Sequence, residues 1–454
     1  MADQCSPSTE GEVLGRERAN SVPTVVRIRE YRKTDNPLKN TPAPHTPYYT
    51  PVQRIPAGTA IVPPESEANL PKLFQPLQLR GLTLQNRIIV SPMCQYSAEN
   101  GHLTDWHLAH LGGILQRGPG LTIVEATAVT PEGRITPEDS GLWQDSQIEP
   151  LKRIVDFAHG QCQHIAIQLG HAGRKASTVA PWIDRKAAAP AEGGGWPELV
   201  LGTSDLPFDA HTCVPRTMTL KDISEFKQSF LDAVHRAVKA GFDAIEIHAA
   251  HGYLLHSSLS AATNNLPNPY SGSLENRMRL LLELVTTTRS AIPSSMPLLV
   301  RIPGSDWMGH DPSVPSWDIE QCVQLSLELS KPKYGVDLLD VLSAGLMAEQ
   351  KIVSGPGYQA PFSEAVKNAI HGSKTLVGVV GLLNTGTHAE ELLQKQTADV
   401  VVVGRGFLRN PGLVWQWAEE LGIESRLAGQ IGWGFGQKAA RGVLMGTKGL
   451  SARG

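Results

Sequence analysis

From about residue 73 onward the chain alternates between two textures. Short apolar runs rich in β-branched residues recur eight times: RIIVSPM (87–93), LTIVEATAV (121–129), HIAIQLGHAG (164–173), FDAIEIHAA (242–250), PLLVRIPGSD (297–306), VDLLDVLSAG (336–345), TLVGVVGLL (375–383) and ADVVVVGRG (398–406). Between them lie stretches with apolar residues at helical spacing. Examples are ISEFKQSFLDAVHRAVKA (223–240) and SLENRMRLLLELVTTTRSA (273–291), the second opening on Ser273 with a glutamate soon after, as helices often start. Strands that are apolar on both faces and alternate with helices belong to a parallel sheet. Eight such units in about 340 residues predict a (β/α)8 TIM barrel over 71–425. The rival, a doubly wound open sheet, normally places a glycine-rich turn after its first strand. Here that turn reads SPMCQYS.

The two ends of the chain differ from this body. Residues 1–70 are rich in Pro, Ser, Thr and charge, with KNTPAPHTPYYTPVQRIPAG at the centre and no apolar periodicity. Such a segment buries too little to offset its ordering entropy, so a disordered or extended N-terminal arm is expected. Residues 426–454 are read as a C-terminal tail.

Composition narrows the function. A formal net charge of −3 over 454 residues gives no electrostatic reason to expect nucleic acid or an anionic membrane as partner. No apolar run approaches the roughly 20 residues that cross a bilayer, and the amino terminus lacks the greasy core of a secretory signal. Five cysteines (Cys5, Cys94, Cys162, Cys213, Cys322) lie far apart with no CxxC. That spacing excludes a disulfide framework and an iron–sulfur cluster and points to a reducing compartment, the cytoplasm.

In a barrel of this kind the chemistry sits at the carboxyl ends of the strands. Those ends carry Cys94, Glu125, Gln168, His171, Lys175, His248, His251, Arg301, Ser343, Gly404 and Arg405. In VVVGRGFLRNP (401–411), Gly404 and Gly406 let the backbone approach a ligand while Arg405 supplies charge. With Gly381 in GLLNTG (381–386) they form a candidate phosphate site after strands seven and eight. A tight turn is the plainer reading of either glycine set alone. GWGFG (432–436) follows no strand and is discounted as a nucleotide loop.

Arg301 either points into the site, beside a ring cofactor that gains negative charge on reduction, or pairs with a neighbouring carboxylate. The Gln168 amide can meet both a donor and an acceptor on a planar ring edge, or be satisfied by backbone. Lys175 is a ligand contact or a solvated loop lysine. Cys94 is reactive or inert core filling, and Tyr96 a donor or merely packed. Trp106 and His107 receive no role.

His248 and His251 could be half of a metal site, but zinc needs at least three protein ligands and no second His-x-x-His or HExxH accompanies them. Glu246 shares a face with His248 but lies deeper in the sheet. A metal-dependent hydrolase therefore lacks its third ligand. Two imidazoles at a strand end better suit a carbonyl or enolate oxygen. His256 is read as structural.

SPMCQYS, HLAHLGG, VEATAVTPEGRI, QLGHAGRK, GFDAIEIHAAHGYLLH, SGSLENR, GPGYQ and VVGRGFLRNP together resemble the old yellow enzyme family of FMN-dependent ene-reductases, in its branch with a cysteine after the first strand. The match runs from about Leu73 to Pro411. The resemblance implies FMN held non-covalently and reduced by NADPH or NADH. Hydride then passes from flavin N5 to the β-carbon of an α,β-unsaturated carbonyl compound, both partners using the same flavin face in turn. It places Ser91, Pro92, Met93 and Cys94 along the ring, with Ala126 and Gln168 in contact and Arg301 at its N1 and O2. Gly381, Gly404 and Arg405 would hold the phosphate. His248 and His251 would bind the substrate oxygen, and Tyr253 or Tyr96 would supply the proton.

The resemblance also implies a homodimer in which an arginine near the carboxyl terminus enters the partner's site; Arg441 matches that pattern poorly and is not assigned. The sequence departs from the family at SSLSAATNNLPNPYSGS (257–273), where Leu266, Pro267 and Asn268 replace a basic–acidic pair, so a reshaped loop is expected. A flavin barrel of low turnover serving a biosynthetic partner, or an oxidase or isomerase on the same flavin, are the alternatives.

Overall fold

The computed structural model describes residues 40–62, 69–184 and 187–435, together with the backbone of Val25–Arg27. All eight apolar runs form strands: β1 (Ile88–Val90), β2 (Leu121–Ala128), β3 (Ile165–Gly170), β4 (Ala244–His248), β5 (Leu298–Pro303), β6 (Leu338–Leu342), β7 (Leu376–Val379) and β8 (Val400–Val403). They close into one parallel barrel in which each strand pairs with its sequence neighbours and β8 pairs with β1, Val402 opposite Ile89. The expected (β/α)8 TIM barrel is the fold.

Outside it lie α1 (Asp105–Leu115), α2 (Ile148–Gly160), α3 (Leu220–Ala240), α4 (Leu254–Leu259), α5 (Leu274–Ala291), α6 (Ile319–Leu329), α7 (Ala360–Ala369), α8 (Gly386–Gln394), α9 (Arg405–Arg409) and α10 (Leu413–Glu420). Both helices read from the sequence are present. Thr219 caps α3 by accepting the Asp222 N–H, and α3 ends at Gly241 with φ +93°. Ser273 caps α5 through the Asn276 N–H. Each side-chain cap satisfies a donor that the first turn cannot.

The barrel interior is layered by the two-residue period of its strands. Ile89, Ile123, Ala166, Ala244, Leu299, Leu338 and Val402 form an apolar floor. Leu79 and Leu84, from the antiparallel hairpin Leu77–Leu79/Leu82–Leu84, join that cluster and plug the amino-terminal mouth. Two residues farther along, the interior turns polar: Ala166 leads to Gln168, Ala244 to Glu246, Leu299 to Arg301 and Leu338 to Asp340, all buried.

Of the N-terminal arm, residues 1–24, 28–39 and 63–68 lie outside the described residues. Residues 40–62 form an extended strap rather than a free tail. Gly58 N–H donates to Arg426 O (2.9 Å), Ile61 N–H to Glu424 O (2.8 Å) and Arg426 N–H to Thr59 O (2.8 Å). Ala57, Ala60, Ile61 and Val62 are buried. The strap is held by backbone bonds and close contacts, which leave no periodic signature. Of the C-terminal tail, residues 436–454, Arg441 among them, lie outside the described residues. Among the described residues no helix is long and apolar enough to cross a membrane.

Candidate active site

The polar layer is knitted across the strands. Gln168 Nε2 donates to Glu246 Oε1 (2.7 Å) from β3 to β4. Arg301 places Nε 2.9 Å from Asp340 Oδ2 on β6 and donates from Nη2 to Ser91 Oγ (3.0 Å), beyond β1 on the far side of the barrel. Arg301 is therefore paired with a neighbouring carboxylate on one edge and directed into the barrel on the other. Two buried carboxylates share this single guanidinium. Burial, reinforced by the Asp340 carboxylate, pushes the Glu246 carboxyl up to about 8, against the pull of Arg301 and the Gln168 hydrogen bond. Burial also raises Asp340, opposed by Arg301.

Just above, β4 ends at His248 and the chain turns through His251 (φ +59°) and Gly252 (φ +74°). A Cβ on Gly252 would sit 2.1 Å from Gly345 O, so this turn admits no side chain there. The turn brings three rings together. The His248 ring centre is 5.3 Å from His251 and 5.2 Å from Tyr253, both edge-on. Burial, then the Arg301 charge, holds both imidazoles well below their ordinary pKa, and Lys175 adds to the effect. Both are neutral near pH 7. His248 Nδ1 is buried with no hydrogen-bond partner among the described residues. Burial raises the Tyr253 phenol well above its usual value, so it stays protonated.

Lys175 is not a solvated loop lysine. Its Nζ donates to His251 O and Gly345 O, both at 2.9 Å, and lies 5.1 Å over the Tyr253 ring, with burial bringing it down to about 8. His256 is structural, as expected. Its Nδ1 accepts the Gly252 N–H (2.8 Å), and its Nε2 lies 2.9 Å from Asp306 Oδ1.

The loop after β1 forms the next wall. Pro92, Met93, Cys94 and Tyr96 are half-buried, and Tyr96 takes φ +48°. Burial, with Asp139 and Glu125 nearby, pushes the Cys94 thiol up, so it is a thiol and not a thiolate. Glu125 is not a rim group. A bulge between Val124 and Ala126 gives Ala126 the place opposite Gln168. Glu125 turns beneath the loop, accepting the Gln95 N–H (3.0 Å) with His107 Nε2 3.5 Å away. His107, unassigned from sequence, thus helps position this loop. Asp139 also escaped notice. It is buried, pushed up to about 7 by burial, and lines a cavity with Ala126, His171, His248 and Tyr253.

On the opposite side of the rim, Gly404 precedes α9 beside Met93 and Ser91, and Arg405 is exposed at the helix start. Gly381, at φ +131°, accepts the Gly357 N–H (2.8 Å). Gly406 serves packing instead: a Cβ there would meet Val403 at 2.9 Å and Leu413 at 3.0 Å. Among the described residues no three His, Cys, Asp or Glu side chains gather as a metal site would need.

The donor set matches FMN. An amide sits in the polar layer, a guanidinium turns inward, and glycine backbone with an exposed arginine follows β7 and β8, while the unpartnered buried nitrogen of His248 is left for a second ligand. An eight-stranded parallel barrel with this rim is the framework of a flavin-dependent oxidoreductase. The model of the NADH:flavin oxidoreductase / NADH oxidase family matches residues 72–424, and the chain belongs to that family. It is 50% identical over 406 residues to an NADH:flavin oxidoreductase of Gibberella zeae, covering 88% of this chain and 96% of the relative. An NADPH dehydrogenase of Bacillus pumilus is 40% identical over 352 residues, 77% of this chain and 95% of the relative. Among solved structures, morphinone reductase in complex with tetrahydroNAD is 25% identical with a TM-score of 0.62, covering 79% of this chain and 93% of that one. The protein is an FMN-dependent enzyme that draws its electrons from a nicotinamide nucleotide.

Proposed function

We propose that the enzyme reduces the C=C bond of α,β-unsaturated carbonyl compounds. The observation that carries this reading is the trio His248, His251 and Tyr253: two neutral imidazoles and a protonated phenol meeting edge-on beside a cavity. FMN, when bound, supplies the hydride chemistry. His248 and His251 bind the carbonyl oxygen, each donating one ring N–H. Being neutral, they polarise the carbonyl most as negative charge gathers on its oxygen. Tyr253, or Tyr96 across the mouth, gives the proton to the α-carbon, since burial keeps both phenols protonated.

The remaining residues hold the cofactor in this reading. Ser91, Pro92, Met93, Cys94 and Ala126 flank the ring, Gln168 meets its polar edge, Arg301 supports negative charge there, and Gly381, Gly404 and Arg405 receive the phosphate. Glu246 and Asp340 fix the direction of Gln168 and Arg301. The likeness to NADPH dehydrogenases and to morphinone reductase supports the assignment.

The test is anaerobic turnover of 2-cyclohexenone with NADPH or NADH, following flavin absorbance and the saturated ketone. His248→Ala and His251→Ala should each lower kcat/KM by about a hundred- to a thousandfold. A holoprotein that bleaches with NADPH yet is reoxidised by no enone overturns the proposal. Release of desaturated or isomerised product would replace it with a dehydrogenation or isomerisation.

A further inference from the structure

Between β3 and α3 the chain leaves the barrel, and residues 177–184 and 187–189 form the two arms of a narrow loop. Its arms are joined by a Thr178–Ala188 bridge and by Ala189 N–H to Ser177 O (2.7 Å). Its base is pinned to the cavity wall, where the Thr178 N–H and hydroxyl both donate to Ile135 O (2.8 and 3.0 Å). Ile135 lines the same cavity as His248 and Tyr253. At the turn of this loop Trp182 is 67% exposed and Ile183 71% exposed. The Trp182 ring meets the Tyr96 ring edge-on at 5.5 Å and 77°.

Two elements far apart in sequence thus meet in an aromatic contact above the rim that carries Cys94 and Tyr253. Isolated apolar residues on a surface need no explanation, but these two sit on a pinned loop leaning on a candidate substrate residue. An indole left in water gains most from a flat apolar surface laid against it.

We propose that Trp182, backed by Ile183, is the outer wall of the substrate site and a specificity-determining residue. It favours enones that carry a planar apolar group, an aryl ring above all, on the side away from the carbonyl. The inference rests on the ene-reductase reading: a substrate anchored by its oxygen at His248 and His251 reaches outward past Tyr96 to the indole.

The test compares 4-phenyl-3-buten-2-one with 2-cyclohexenone in the wild-type holoenzyme and in Trp182→Ala and Trp182→Phe. The ratio of kcat/KM for the aryl enone to that for cyclohexenone should fall about tenfold in Trp182→Ala, chiefly through KM, and recover in Trp182→Phe. A ratio that stays within about twofold of wild type, or equal losses on both substrates, overturns the proposal. So does a change of oligomeric state with selectivity intact, which would make the loop a subunit contact. Calorimetry of the oxidised holoenzyme with 4-phenyl-2-butanone and cyclohexanone reads the same selectivity without turnover. Failure of ene-reduction is therefore distinguishable from failure of this inference.

Discussion

Glu246 and the two histidines titrate in opposite senses, and each sense has a consequence. The Glu246 carboxyl is pushed up to about 8 from 4.5, so the folded protein keeps a proton that the unfolded chain releases. Stability from this group is full below about pH 4.5 and is lost as pH rises through 8. His248 and His251 are held well below 6.5, so the unfolded chain takes up protons that the folded one refuses. Their contribution is lost as pH falls below about 6.5. Glu246→Gln mimics the neutral acid and can still accept from Gln168. Its Tm relative to wild type should rise steadily from about pH 5 to about pH 8 and then level off. A difference in Tm that does not vary with pH would mean that Glu246 is ionised throughout.

At the scale of elements, the segment 257–273 is tied down by hydrogen bonds. Leu266 is buried, and Asn264 Nδ2 donates to Tyr270 O (2.9 Å) while its Oδ1 accepts the Leu266 N–H (2.9 Å). The Thr203 hydroxyl reaches Thr263 O (2.9 Å) from the excursion after β3. Asp306, after β5, ties this region to the barrel. Besides facing His256, it accepts the Ser260 hydroxyl and the Trp317 N–H, both at 2.7 Å. Asp306→Ala strands three buried donors and should cost about 3–5 kcal/mol in urea unfolding. A loss below about 1 kcal/mol would show that these groups find other partners.

The strands were legible because burial on both faces forces unbroken apolar runs, and the rim followed from their carboxyl ends. Asp340 was within reach too, since it follows Leu338 at the spacing that takes Leu299 to Arg301. The bulge at Glu125 was not: an extra residue in one strand leaves no trace in a hydrophobic pattern. Nor was Asp139, whose burial depends on a loop with no period, nor the Trp182 contact, which joins two irregular segments.

The whole molecule divides its labour along the barrel axis. The carboxyl-terminal rim holds one guanidinium among buried carboxylates, neutral histidines and left-handed turns, all costly to assemble. The opposite end does the holding: the hairpin 77–84 plugs it, and the strap 40–62 crosses it to meet residues 424–426. The strap fits because two glycines touch. Gly58 (φ +79°) lies against Gly118 (φ +85°), and a Cβ on Gly118 would fall 2.2 Å from Ala57 C and 2.3 Å from Gly58 N. Gly118→Ala must move the strap or strain the backbone, and should cost roughly 2–4 kcal/mol. Since Gly118 precedes β2 and the candidate site lies beyond its other end, FMN affinity and KM well below the lowered Tm should match wild type. Loss of FMN affinity in parallel with Tm would show instead that the strap and the rim are coupled through the barrel.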